Sequence, residues 1–181
     1  MLTVAVIGAG PLGRWLALAA ARAGFRVLLE DVMPTNLHHA REALRLELNP
    51  DALPSVAFVS TIEDAVRDAD LAIDCVPDEL ESKLEIFCLL DRMAPPRTIL
   101  ATPTTRLSIA DLASCTYRAD RCVAIVAEAS QLAAEERRDS SVPEILLRVT
   151  AQTAPQTVAE VKEFWQRLGF DPRFELEASM I

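Results

Sequence analysis

The chain has 181 residues, 51% of them hydrophobic and 25% charged, which is enough to bury one sizeable core and leaves little for a second. Its formal net charge of −9 repels phosphate backbones and argues against a nucleic-acid partner. Mean hydropathy is high at +0.20, yet charge or proline interrupts each apolar stretch short of a membrane span, so the surplus is assigned to a buried parallel sheet and a subunit interface.

The opening MLTVAVIGAG lacks a basic start and a cleavage site, and Leu2–Ile7 predicts a first strand rather than a signal peptide. Helical period runs from Pro11 to Ala23, Gly24 stops it, and Phe25–Glu30 predicts the second strand. A helix over Thr35–Leu48 ends at Asn49-Pro50. Val56–Ser60 predicts the third strand, Ile62–Arg67 a short helix and Leu71–Val76 the fourth strand. Glu79–Met93 is helical until Pro95-Pro96 breaks it; Thr98–Ala101 is a fifth strand, Ile109–Ala113 a short helix and Cys122–Val126 a sixth strand. Beyond it, Ala129–Arg138 predicts a charged helix and Ser140-Ser141 a loop. Ile145–Thr150 predicts a strand, Val158–Leu168 a helix closed by Gly169, and Arg173–Glu177 a last strand. Strand-length apolar runs alternating with helices specify βαβ units. The expected fold is α/β: a Rossmann-type doubly wound, mainly parallel sheet with helices on both faces. No repeat, low-complexity tract or linker interrupts it, so 1–181 is expected to be a single dinucleotide-binding domain.

Gly8-Ala9-Gly10-Pro11-Leu12-Gly13 fits G-x-G-x-x-G between the first strand and the first helix. In that setting Gly8 allows the tight turn, Gly10 lets backbone approach a diphosphate, and Gly13 lets helix and strand pack closely. Unpaired N–H groups and the positive end of the helix dipole then face the phosphates. Pro11 suits the first helical turn, where its missing N–H has no intrahelical use. Asp31 follows the second strand, 18 residues beyond Gly13. A carboxylate there accepts both ribose hydroxyls and repels a 2′-phosphate, which makes NAD the expected cofactor. Glu30 is a neighbouring candidate, but side chains alternate along a strand and only one of the pair is expected to face the ribose; Asp31 is chosen.

Four cysteines, Cys75, Cys88, Cys115 and Cys122, show no C-x-x-C spacing. They read as reduced thiols of a cytoplasmic protein without a metal site.

The runs VAVIGAGPLG, AGFRVLLEDV and ADLAIDCVPDELESKLEIFCLLDRMAPPRTILATPTTRLSIADLA together resemble the NAD-binding domain of 3-hydroxyacyl-CoA dehydrogenases. The resemblance covers most of Leu2–Ile125 and returns faintly in Thr157–Gly169. It implies that Asp78 and Lys83 contact the cofactor, whereas the residues alone leave Lys83 on a solvated helix face as the alternative. It also implies that Thr105 stands for a serine that touches cofactor and substrate, and that Pro103 replaces an asparagine. Trp15 stands where the family has a very small residue, and is expected to crowd the cofactor.

The same resemblance implies a missing base. The family's catalytic histidine corresponds to Val126, an asparagine after it to Ala129, and the glutamate that orients the histidine to about Leu146. The chain's only histidines, His38 and His39, follow the adenosine-side strand and read as surface helix residues. Glu128 is a weak alternative base, with Thr105 beside it as a weak catalytic candidate; the bland reading of Glu128 is the start of an exposed acidic helix with Glu135 and Glu136. The segment that helps hold coenzyme A is reduced to Pro34–Pro54, and the family's helical C-terminal domain is expected to be missing. The leading expectation is an NAD(H)-binding relative without the family's dehydrogenase chemistry, serving as a sensor or a subunit. The alternatives are a small active oxidoreductase on a 3-hydroxyacyl-CoA-like or hydroxy acid substrate, completed by a second subunit, and a structural module with an empty site. A homodimer or larger homo-oligomer is expected, since the flank of such a domain needs cover.

Overall fold

The run Thr3–Ile7 is buried at every position, as a central strand covered on both sides must be, and this strand sets the sheet around it. The structure, a computed structural model, describes residues 2–127 and 142–177. In chain order its elements are β1 (Thr3–Ile7), α1 (Pro11–Arg22), β2 (Arg26–Glu30), α2 (Pro34–Glu47), β3 (Val56–Val59), α3 (Ile62–Val66) and β4 (Leu71–Asp74). They continue as α4 (Leu80–Met93), β5 (Ile99–Pro103), α5 (Ile109–Ser114), β6 (Cys122–Ile125), β7 (Glu144–Val149), α6 (Pro155–Arg167) and β8 (Asp171–Leu176).

The strands form one sheet in the order β3-β2-β1-β4-β5-β6-β7-β8. The first six run parallel, while β7 pairs antiparallel with β6 and β8 lies parallel to β7. Strand order reverses between β1 and β4, and a crevice opens beyond the carboxyl ends of strands at such a point. Side-chain alternation divides the core in two. Val4, Val6 and Leu29 face α1, α2 and α6, where Leu16, Leu44 and Phe164 meet them. Ala5, Ile7 and Leu28 face α3, α4 and α5, contributing Val66, Phe87 and Leu112. Helices on both faces are thus what the period of the sequence required.

An aromatic row seats α6 on the first of these faces. Trp15 meets Phe170 edge-on at 5.8 Å, Phe170 meets Trp165 at 5.4 Å, and Phe164 reaches Phe25 at 5.2 Å. Arg167 lies 3.9 Å over the Phe25 ring and donates to the Ala23 carbonyl at 3.0 Å. The row corrects the expectation for Trp15: its ring turns into the α6 seam and lines no part of the crevice. The expected helix over Ala129–Arg138 and the loop at Ser140-Ser141 lie outside the described residues, as does Glu128.

Candidate functional site

The turn after β1 is shaped by contacts that only glycine permits. Gly8 has φ 102°, and a Cβ there would sit 3.1 Å from the Cys75 carbonyl oxygen. A Cβ on Gly13 would collide with the carbonyl oxygen of Gly8, so α1 packs against its own turn at backbone distance. Gly10 differs: nothing lies within 4 Å of its Cβ position, and the space above it is the crevice. It is the N-cap of α1 with no side-chain cap, which leaves the first N–H groups of the helix for a ligand.

The end of β2 holds this turn in place. Gly8 N–H donates to the Glu30 carbonyl at 2.8 Å and Ala9 N–H to Asp31 Oδ2 at 2.9 Å. Asp31 also accepts from Met33 N–H at 2.8 Å and from the Asn36 amide at 3.1 and 3.2 Å. Its carboxylate is therefore oriented before any ligand arrives.

The crevice has two lobes that share Gly10, Pro11, Cys75 and Val76. The first, about 440 Å³, is walled by Gly8, Glu30, Asp31, Asn36, Ile62 and Ile86, among others. The second, about 330 Å³, is lined by Leu12, Asp78, Pro103, Thr104, Thr105 and Ala127. Of the residues expected from sequence, Gly8 and Asp31 face the first lobe, Leu12, Asp78 and Thr105 the second, and Gly10 and Pro11 both; Gly13 lies beneath them.

One expectation is extended and one needs correction. Glu30 and Asp31 both reach the first lobe, because β2 ends at Glu30 and Asp31 lies past the strand, free of its alternation. Glu30 is only 6% exposed, and burial, followed by the neighbouring Asp31 charge, pushes its carboxyl up to about 7. Lys83 lies neither on a solvated helix face nor in a cleft wall. It is fully buried, and its Nζ donates to Thr102 Oγ1 at 2.9 Å, Asp74 Oδ2 at 3.2 Å and the Val76 carbonyl at 3.3 Å. All three ammonium donors are used beneath the floor of the crevice. Burial raises the Asp74 carboxyl, against the pull of Lys83 and of hydrogen bonds from Val76 N–H and Thr102. Burial beside Asp74 likewise pushes the Cys75 thiol up, which makes it inert as a nucleophile.

In the second lobe, Asp78 Oδ2 accepts weakly from Thr105 N–H at 3.4 Å, while Oδ1 is buried with no partner. A buried acceptor left open beside a ligand cleft is a place for a hydroxyl. Thr104, which the sequence reading did not single out, is 2% exposed and lines the lobe; its Oγ1 accepts from Leu107 N–H at 2.9 Å. Val126 N–H donates to the Leu146 carbonyl at 2.9 Å, so the two positions expected to stand for the family's histidine and glutamate are brought side by side as an apolar pair. His38 and His39 are exposed on α2 and line neither lobe. The glycine cradle, the oriented Asp31 and the open Asp78 oxygen together fit a dinucleotide laid across the turn.

Comparison with known proteins agrees with this geometry. The family described as "3-hydroxyacyl-CoA dehydrogenase, NAD binding domain" matches residues 3–126. A probable 3-hydroxybutyryl-CoA dehydrogenase of Bacillus subtilis is 33% identical over 133 residues, 66% of this chain and 46% of that protein. The 5-formyl-3-hydroxy-2-methylpyridine 4-carboxylate 5-dehydrogenase of Mesorhizobium japonicum is 28% identical over 179 residues, covering 93% of this chain and 55% of that protein. Among solved structures, the 3-hydroxyacyl-CoA dehydrogenase of Archaeoglobus fulgidus superposes with a TM-score of 0.81 at 26% identity, over 99% of this chain and 58% of that one. The chain spans about half the length of the curated relatives it matches.

Proposed function

The chain belongs to the 3-hydroxyacyl-CoA dehydrogenase family through its NAD-binding domain, and from that premise we propose that it binds NAD(H) across the two lobes without itself performing the family's dehydrogenase reaction. In this reading the adenosine end occupies the first lobe, with Asp31 accepting from the ribose, and the nicotinamide end occupies the second, beside Asp78 and Thr105. NAD when bound supplies hydride exchange at its nicotinamide ring. The chain's own groups bind and orient, and among the described residues no histidine lines either lobe to take up the hydroxyl proton.

The observation that carries this reading is the Val126–Leu146 pair, where the family's base and its orienting acid are implied. Neither side chain exchanges a proton, and the chain's two histidines, His38 and His39, line neither lobe. A sensor of the NAD(H) pool, or a subunit that lends its cofactor site to another protein, uses binding alone.

NADH titration followed by fluorescence tests the binding half; saturation at micromolar concentration is expected, and a flat titration overturns it. Acetoacetyl-CoA mixed with NADH and the protein tests the other half, with no loss of NADH absorbance above background expected. Steady loss would establish the second reading, an active oxidoreductase, which the Thr104 and Thr105 hydroxyls in the second lobe favour. A homo-oligomer belongs to the same proposal, and a monomer by light scattering counts against it. The exposed side chains Val142 and Leu176, beside β7 and on the edge strand β8, offer apolar surface for a second copy to cover.

A further inference from the structure

The acid that the turn does not use is the feature with most to say. Asp31 is engaged by backbone and by Asn36, but the Glu30 carboxyl has no hydrogen-bond or ion-pair partner among the described residues. It pairs in register with Ile7 of β1 and Val59 of β3, on the face of the sheet that carries α3 and α4. There it forms the floor of the first lobe, below Ile62, Val76 and Ile86. The result is a slot with apolar walls from Ile62, Val76 and Ile86, in which the Glu30 carboxyl is the polar group left without a partner among the described residues, Asp31 and Asn36 being bonded to each other. Such a slot suits a flat heteroaromatic ring that presents a polar edge.

Resting on the NAD(H) reading above, we propose that Glu30 reads the adenine base, its carboxyl accepting from the exocyclic amino group and donating to the ring nitrogen beside it. Adenine offers a donor next to an acceptor along that edge, and a neutral carboxylic acid offers the complementary acceptor and donor about the same distance apart. An ionised carboxylate offers acceptors only, and would set a lone pair against the ring nitrogen. The surroundings favour the neutral form. Among the lining residues Asp31 is the only other carboxyl and the Cys75 thiol the only other titratable group; Ile7 from β1, Ile62 from α3, Val76 after β4 and Ile86 from α4 bring no charge. Glu30 accordingly stays protonated to about pH 7. The two acids divide the adenosine between them, Asp31 taking the ribose and Glu30 the base.

The test measures NADH affinity by fluorescence for the wild-type chain, Glu30→Gln and Glu30→Leu, at about pH 6 and about pH 8.5, bracketing the Glu30 value of about 7. A second titration uses the 1,N6-etheno analogue of NADH, whose amino group and N1 are blocked. Glu30→Leu is expected to weaken NADH binding about tenfold at the lower pH, the loss of a pair of neutral hydrogen bonds. It should bind the etheno analogue as the wild type does. The wild type should lose affinity severalfold at the higher pH, whereas Glu30→Gln, whose amide keeps one donor and one acceptor, should bind equally at both. Unchanged NADH affinity in Glu30→Leu, or a pH dependence that Glu30→Gln shares, overturns the assignment. Absence of NADH binding to the wild type overturns the NAD(H) reading with it, so the two failures are told apart by the first titration.

Discussion

The two lobes of the crevice are built by different means. The glycine turn and the acids of the first come from Ile7 to Asn36, one strand–turn–helix–strand unit whose order in space is its order in sequence, with Ile62 and Ile86 as walls. The second is assembled from the glycine turn and the ends of β4, β5 and β6, and its polar groups are tied to neighbouring backbone: Asp78 to Thr105 N–H and Thr104 to Leu107 N–H. Where the first lobe has carboxylates set for a ligand, the second has hydroxyls, one open carboxylate oxygen and no histidine among the described residues. The contrast teaches that the two lobes draw most of their polar groups from different segments of chain, while Gly10 and Pro11 of the turn join them.

Substitutions can break or sharpen that contrast, and the largest effect lies under the floor. Lys83→Met leaves Asp74 buried without its counter-charge, and a loss of about 3–5 kcal/mol in chemical denaturation is expected. Adding Asp74→Asn should recover most of it; failure to recover means that Lys83 does more than balance that charge. Gly13→Ala comes next, since its methyl must displace the Gly8 carbonyl. The cost is about 1–3 kcal/mol or more, read as a lower melting temperature and weaker NADH binding together. Asp31→Ala should raise the NADH dissociation constant about 10- to 100-fold through lost charge-assisted hydrogen bonds. Asp78→Ala should raise it only about fivefold, one ordinary hydrogen bond at the other end. If the order of those two is reversed, the second lobe is the main anchor and the comparison fails.

The smallest expected effect is on stability against pH. Glu30 is raised from 4.5 to about 7 in the folded chain, so between those values the folded state holds a proton that the unfolded state has released. Stability falls as pH rises through that window. Glu30→Gln removes the loss, and its melting temperature at about pH 8 should exceed the wild type's by several degrees, with no difference at about pH 4. Parallel melting curves for the two proteins across that range count against a buried acid.

How far the sequence could be read follows the same division. The first lobe was legible because its glycines and Asp31 sit at fixed offsets along one continuous stretch. Glu30 was set aside by strand alternation, a rule that lapses where β2 ends. Lys83 was misplaced for another reason: rarity marks a lysine as significant, but only the folded packing shows β4 and β5 closing over it. Asp74 carried a signal in retrospect, an acid at the end of the apolar run Leu71–Asp74 with a scarce cation nine residues on. The meeting of Val126 with Leu146 depends on β7 running antiparallel to β6, and residue pattern does not disclose direction. Trp15 was judged by its size alone, without the partner that Phe170 provides.

The aromatic row has a practical consequence. Both tryptophans of the chain stand in it, Trp15 on the helix that begins at the phosphate turn and Trp165 on the last helix. Tryptophan emission is thus a signal from a single seam. Should that seam part ahead of general melting, the emission spectrum will shift to the red while circular dichroism still records an intact core.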